Sequence, residues 1–178
     1  IDPDDALFQL AEQRISSVYT VERVYPMLPA ALSNGHFSLR AQVPRAVMTF
    51  ALQLFVDGTC LLREVRHELV TVHRNLTYEE ADALIAAEES FWSILYRCSE
   101  ALKQQRIAHG ALDIERREFE LDIHNPEQIQ IIPRDRNSPA NSLVQELAVL
   151  VNRLAGEALE QREIPGIFRT QPPYELVQ

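Results

Sequence analysis

Hydrophobic and polar positions alternate along this chain in two periods, one close to 3.6 residues and one of two, and together they predict both helices and strands. The helical period is clearest after Thr77-Tyr78-Glu79-Glu80. There the Thr77 hydroxyl can bond the amide of Glu80 while the Glu80 carboxylate reaches back to the amide of Thr77, so a helix is expected to start at Tyr78. Ala81, Leu84, Ile85, Phe91, Leu95, Cys98 and Leu102 then recur at helical spacing toward Ala108, with room for a break, and Gly110 ends the run. A last helix follows Ser138 or Asn141 and carries Leu143, Val144, Leu147, Leu150, Val151 and Leu154, with Pro165 beyond its end. A shorter helix-compatible pattern runs from Gln9 to Val18 and stops before the stiff, irregular segment that begins at Tyr25 and contains Pro26 and Pro29.

The two-residue period predicts strands at Ala46 to Val56 and Cys60 to Arg74, joined at Asp57-Gly58, a pair that readily supplies the positive φ of a tight hairpin. A second hairpin is expected where Phe119, Leu121 and Ile123 alternate with Glu118, Glu120 and Asp122. Asn125-Pro126 turns this chain and Gln128 to Pro133 returns, while Ile167-Phe168-Arg169 reads as a short final strand. The fold class is therefore α+β.

The 178 residues suit a single domain spanning 1–178, and 46% hydrophobic content is enough for a sizeable core. No apolar run approaches membrane-spanning length and no signal-peptide pattern is visible, so a soluble, cytoplasmic protein without a membrane partner is expected. Cys60 and Cys98 are far apart and read as core thiols rather than a zinc or disulfide framework. The histidines lack metal-ligand spacing, and no phosphate-binding glycine loop or nucleophile elbow is present. A net charge of -9 opposes attraction of nucleic acid by the overall field, and the scattered arginines read as a solvated face.

Chemistry concentrates in Ile1-Asp2-Pro3-Asp4-Asp5-Ala6, where three carboxylates crowd into four positions. Such a cluster is tolerated as an acidic helix cap or solvated turn, or around a hard divalent cation. Pro3 disfavours helix at Asp2 and would leave Asp2 and Asp4 on one side of an extended or looped backbone, with Asp5 turned elsewhere. Tyr19, taken alone, reads as a core tyrosine.

Taken in order, Asp2-Pro3-Asp4-Asp5-Ala6, Arg14-Ile15-Ser16-Ser17-Val18-Tyr19, Tyr25-Pro26-Met27-Leu28-Pro29 and Leu32-Ser33-Asn34 resemble the catalytic (RNB) domain of the ribonuclease II/ribonuclease R exoribonucleases. The similarity continues through Asp57-Gly58, Gly110-Ala111-Leu112, Glu146 and Phe168-Arg169 and covers nearly the whole chain. The resemblance implies an RNB-type α+β domain with a mixed or antiparallel sheet and flanking helices. It implies metal-dependent 3′-to-5′ hydrolysis of single-stranded RNA to nucleoside 5′-monophosphates, with Mg2+ as the ion. Asp2, Asp4 and Asp5 would be its catalytic and metal-binding residues, with Arg14, Tyr19, Arg40, Glu146 and Arg169 in contact with RNA. Tyr19 stands where the family stacks an aromatic ring on a base, and oligonucleotide-binding barrel domains are expected elsewhere in a full-length chain.

Departures from the family pattern are equally specific. Ile114 stands where some members have a second stacking aromatic, Ser142 where many have a basic residue, Gln145 in place of one carboxylate, and Gln171 in place of a histidine. The family's additional upstream aspartate and downstream Ser-Pro-Ile-Arg-Arg segment are not found, and Phe8 runs into Gln9 with too few residues for an intervening strand. The chain is thus expected to lack a segment between Phe8 and Gln9 as well as the C-terminal part, to belong to a longer enzyme, and to be inactive alone. A non-catalytic RNA-binding or interaction module derived from such an enzyme is the alternative.

Overall fold

Asp5 stands in extended backbone, with φ -73° and ψ 134°, and its side chain accepts a hydrogen bond from the amide of Leu7 at 2.9 Å. That cap starts helix α1 at Ala6 rather than at Gln9, because it satisfies an amide that the first turn leaves without an intrahelical partner. The computed structural model describes residues 2, 4–87, 90–112, 118–122, 129–134 and 137–166. Helix α1 runs unbroken from Ala6 to Arg14, through Phe8 and Gln9, and ends at Ile15, whose φ of 63° is a costly left-handed value for a β-branched residue. Val18, expected at the end of this helix, begins a strand instead.

Strands β1 (Val18–Tyr19) and β2 (Val24–Tyr25) form a short antiparallel pair, with Val18 opposite Tyr25 and Tyr19 opposite Val24. Thr20 locks the turn between them: its hydroxyl donates to the Arg23 carbonyl at 2.8 Å and accepts from the Arg23 amide at 3.1 Å. After the proline-containing segment, one π-helical turn (Ala31–His36) precedes the long hairpin of β3 (Pro44–Leu54) and β4 (Cys60–Thr71). Its tip is the expected one. Gly58 adopts φ 84°, and the Thr59 amide donates to the Asp57 carboxylate at 2.8 Å, a bond that holds the Asp57 carboxyl below its ordinary range.

The predicted capping box forms in both directions. The Thr77 amide donates to Glu80 at 2.8 Å, the Glu80 amide donates to the Thr77 hydroxyl at 3.2 Å, and α2 runs from Tyr78 to Ala86. The helical run does break: Ser90 caps a separate α3, Phe91–Ala108, by accepting from the Ser93 amide at 3.0 Å. Strands β5 (Glu118–Asp122) and β6 (Gln130–Arg134) form the expected antiparallel pair, in a register that sets Leu121 opposite Ile131. Helix α4, Pro139–Gln161, starts with proline in its first turn, where a missing N–H costs nothing. The Ala140 amide, otherwise unpaired there, donates to Asp82 at 2.7 Å. The expected turn at Asn125-Pro126 and the strand at Ile167-Phe168-Arg169 lie outside the described residues.

The chain divides into two compact units. The first comprises Ile1–Thr49, Val65–Ala81 and Ile114–Ser138, and the second Phe50–Glu64, Asp82–Asp113 and Pro139–Gln178. Among the described residues the buried apolar side chains, Ile85, Cys98, Ala140, Leu143, Leu150 and Leu154, all belong to the second unit. Their centre is the packing of α3 on α4. Ala140, Leu143, Glu146, Leu150 and Leu154 recur every three or four residues and form one buried stripe, in which each leucine contributes about 1.5–3 kcal/mol. Cys98 is a core thiol as expected, while Cys60 is half-buried, and burial raises the pKa of both. No helix among the described residues is long and apolar enough to cross a membrane.

Candidate active site

The carboxylate segment lies immediately before α1, and local backbone bonds determine where each side chain points. Asp2 accepts from the Asp4 amide at 3.0 Å through one carboxylate oxygen, and its carbonyl accepts from the Asp5 amide at 2.9 Å, which folds the segment into a turn. Asp5 caps the helix, so its carboxylate and that of Asp2 are engaged by different amides, those of Leu7 and Asp4. The Asp4 carboxylate has no partner among the described residues, and all three side chains are exposed.

In kind, these donors fit a hard divalent cation: all are carboxylate oxygens, and Asp2 and Asp5 each commit only one oxygen to the backbone. In position, they are not drawn together. Among the described residues no group of three or more His, Cys, Asp or Glu side chains is gathered closely enough to hold a metal.

The remaining candidates of the first unit are Tyr19, Arg14 and Arg40. Tyr19 is 77% exposed, which excludes the core reading and leaves its ring available for stacking. Arg14 donates to the Pro26 carbonyl at 3.0 Å, while the Ser17 hydroxyl accepts from the Met27 amide at 3.0 Å, so the two ends of this segment are stitched together. The exposed Arg40 closes a tight turn through its amide, bonded to the Ser38 carbonyl at 3.0 Å. A pairing absent from the sequence reading is Arg23 with Tyr25. The guanidinium carbon sits 4.2 Å from the ring centroid. Its only sequence signal is the Arg-x-Tyr spacing, which places alternate residues on one side of an extended chain.

In the second unit, Glu146 is 2% exposed and its carboxylate is engaged twice by Arg106, at 2.6 and 3.2 Å. The pair lines a cavity of about 360 Å³ walled by Leu102, Val149 and Leu150. Gln145, where the family has a second carboxylate, is exposed, and Ser142 donates to Glu100 at 3.1 Å. Arg169 and Ile114 lie outside the described residues.

These elements define an RNB-type α+β domain, and the RNB domain family matches the chain over residues 1–178. The chain belongs to that family. It is 28% identical over 187 residues to ribonuclease R of Vibrio parahaemolyticus, an alignment covering 99% of this chain and 22% of the relative. The apo form of Mycoplasma genitalium RNase R superposes with a TM-score of 0.79 at 18% identity, covering 92% of this chain and 27% of that one. The same enzyme in complex with ribose-methylated single-stranded RNA superposes at 0.76, also at 18% identity and with the same coverage. The chain therefore spans about a quarter of the length of the relatives it matches.

Proposed function

We propose that this chain is the catalytic segment of an exoribonuclease that degrades single-stranded RNA from its 3′ end, releasing nucleoside 5′-monophosphates in the cytoplasm. One observation carries the reading: an RNB-family chain presents Asp2, Asp4 and Asp5 at the exposed start of α1, with the Asp4 carboxylate uncommitted among the described residues. Asp4 would be a ligand of Mg2+, and Asp2 and Asp5, although not gathered round it in this structure, each keep a second carboxylate oxygen that could join it. When bound, that ion supplies charge relief on phosphoryl oxygens and an activated water at neutral pH.

The chain's own residues do the positioning. The Tyr19 ring takes a base by stacking, which tolerates any sequence because every base has a π-face. Arg14 holds the segment behind the β1–β2 hairpin in place, and Arg40 offers an exposed cation to phosphate. In the second unit, Arg169 is a further candidate RNA contact and the buried Glu146 serves by holding Arg106. Other domains of a longer chain, oligonucleotide-binding barrels among them, would supply the basic surface that a net charge of -9 does not.

A second reading, a non-catalytic RNA-binding module, is favoured by the carboxylates not being gathered and by Gln145. The full-length protein separates the two. Asp4→Asn is expected to lower release of mononucleotides from a single-stranded RNA by at least about a hundredfold while leaving RNA affinity within a few-fold. Unaltered turnover in this variant would overturn the catalytic assignment.

A further inference from the structure

The β1–β2 hairpin carries a cation that no acidic group among the described residues engages. Most well-placed arginines here are committed to oxygen atoms of the protein: Arg45 to the Ser38 and Gly35 carbonyls, Arg63 to Gln53, Arg66 to Glu68, and Arg153 to Glu157. Arg23 is different. Among the described residues its guanidinium has neither a carboxylate nor a hydrogen-bond acceptor, and its sequence neighbour Glu22 is not paired with it. Its guanidinium carbon lies over the face of Tyr25, 4.2 Å from the ring centroid, and the residue is exposed.

The placement is rigid where it matters. Thr20 bonds both the amide and the carbonyl of Arg23, and its own amide also donates to that carbonyl at 3.1 Å, so the turn fixes Arg23 relative to Tyr19, the residue next to Thr20. Tyr19 pairs with Val24 and Tyr25 with Val18, so the two rings occupy opposite faces of the ribbon. Both are exposed, Tyr19 at 77% and Tyr25 at 45%. An exposed ring and, at the other end of one fixed turn, a guanidinium over a second ring offer a single strand a face for a base and a charge for a phosphate.

We propose that Arg23, held by Tyr25, is a second RNA contact: it binds a backbone phosphate of the strand whose base stacks on Tyr19, as that strand passes over the turn. The inference rests on the reading of single-stranded RNA as the ligand. It makes Arg23 the binding group and Tyr25 a positioning residue.

The full-length protein and a ribose-methylated single-stranded oligonucleotide test it by fluorescence anisotropy over a range of salt concentrations. Arg23→Gln removes the charge but keeps a long polar side chain. It should weaken binding roughly tenfold at low salt and reduce the slope of log affinity against log salt by about 0.7, the value for one phosphate contact on a single strand. Arg23→Lys should retain the slope. Tyr25→Leu should weaken binding while leaving the slope near wild type, because the charge remains but its position is no longer fixed. A merely structural role for the pair would change the melting temperature and leave the salt slope unmoved, and that result overturns the inference. Wild-type binding with an Arg23→Gln variant equal to it in affinity and slope would overturn the inference alone. Absence of binding by wild type would overturn the RNA reading and this inference together.

Discussion

Arg106 forks onto the buried carboxylate of Glu146, with Nη2 2.6 Å from Oε1 and Nε 3.2 Å from Oε2, and so joins α3 to α4 across forty residues of sequence. Glu146 lies in the same stripe as Leu143 and Leu150, where an ionised carboxylate without a partner would be expensive. Arg106 is 31% exposed, so water screens one end of the pair only. Arg106→Ala is therefore expected to destabilise the protein by about 2–3 kcal/mol, less than for a fully buried pair. Replacing both partners by apolar residues, as Arg106→Met with Glu146→Leu, should recover most of that loss. Urea denaturation midpoints of the two variants check the ordering, and a double variant as unstable as Arg106→Ala would show that the ion pair is not the source of the effect.

Gly58 is required for two reasons that act together. Its φ of 84° is strained for any L side chain, and a Cβ there would lie 3.0 Å from the Ala101 carbonyl carbon and 2.9 Å from Gln105 Nε2. The Gln105 side chain can move, although it donates to the Asp57 carbonyl at 2.9 Å, but the α3 backbone cannot. Gly58→Ala should cost about 1–3 kcal/mol by chemical denaturation, and a loss below about 0.5 kcal/mol would mean that the hairpin tip shifts away from α3 at little cost.

What could be read from the sequence was local. Thr77 and Glu80 are three residues apart, and their reciprocal bonds follow from chemistry contained in that interval. The same holds for Asp57-Gly58 and for the alternation that marks β5 as a strand of a hairpin. The helical pattern is legible only from Gln9 onward, whereas the Asp5 cap moves the start of α1 to Ala6. Strands of two residues, such as Val18–Tyr19, are too short to show a period at all. Of the site, the ordered motifs identified the family, and the exposure of Tyr19 decided against a core role. The partners of Glu146 and Arg23 depend on tertiary packing and on a turn, neither of which leaves a pattern in composition or spacing.

Tyr19 offers a test in which binding and stability separate cleanly. The ring is 77% exposed and sits opposite Val24 in a two-residue strand, so its removal deletes little more than one cross-strand contact, worth about 0.2–1 kcal/mol. Thr20 still locks the turn through its bonds to Arg23, which do not involve the ring. In the full-length protein, Tyr19→Ala should melt within a few degrees of wild type. Its grip on the last few bases of a single strand should nevertheless weaken, because base stacking on an aromatic ring contributes about 1–3 kcal/mol per base. The expected consequence is a change in the length of the final undegraded fragment, resolved on a denaturing gel, together with weaker affinity for short oligomers. A final fragment of unchanged length with unchanged affinity would remove Tyr19 from the RNA path and leave it as an exposed residue of the hairpin.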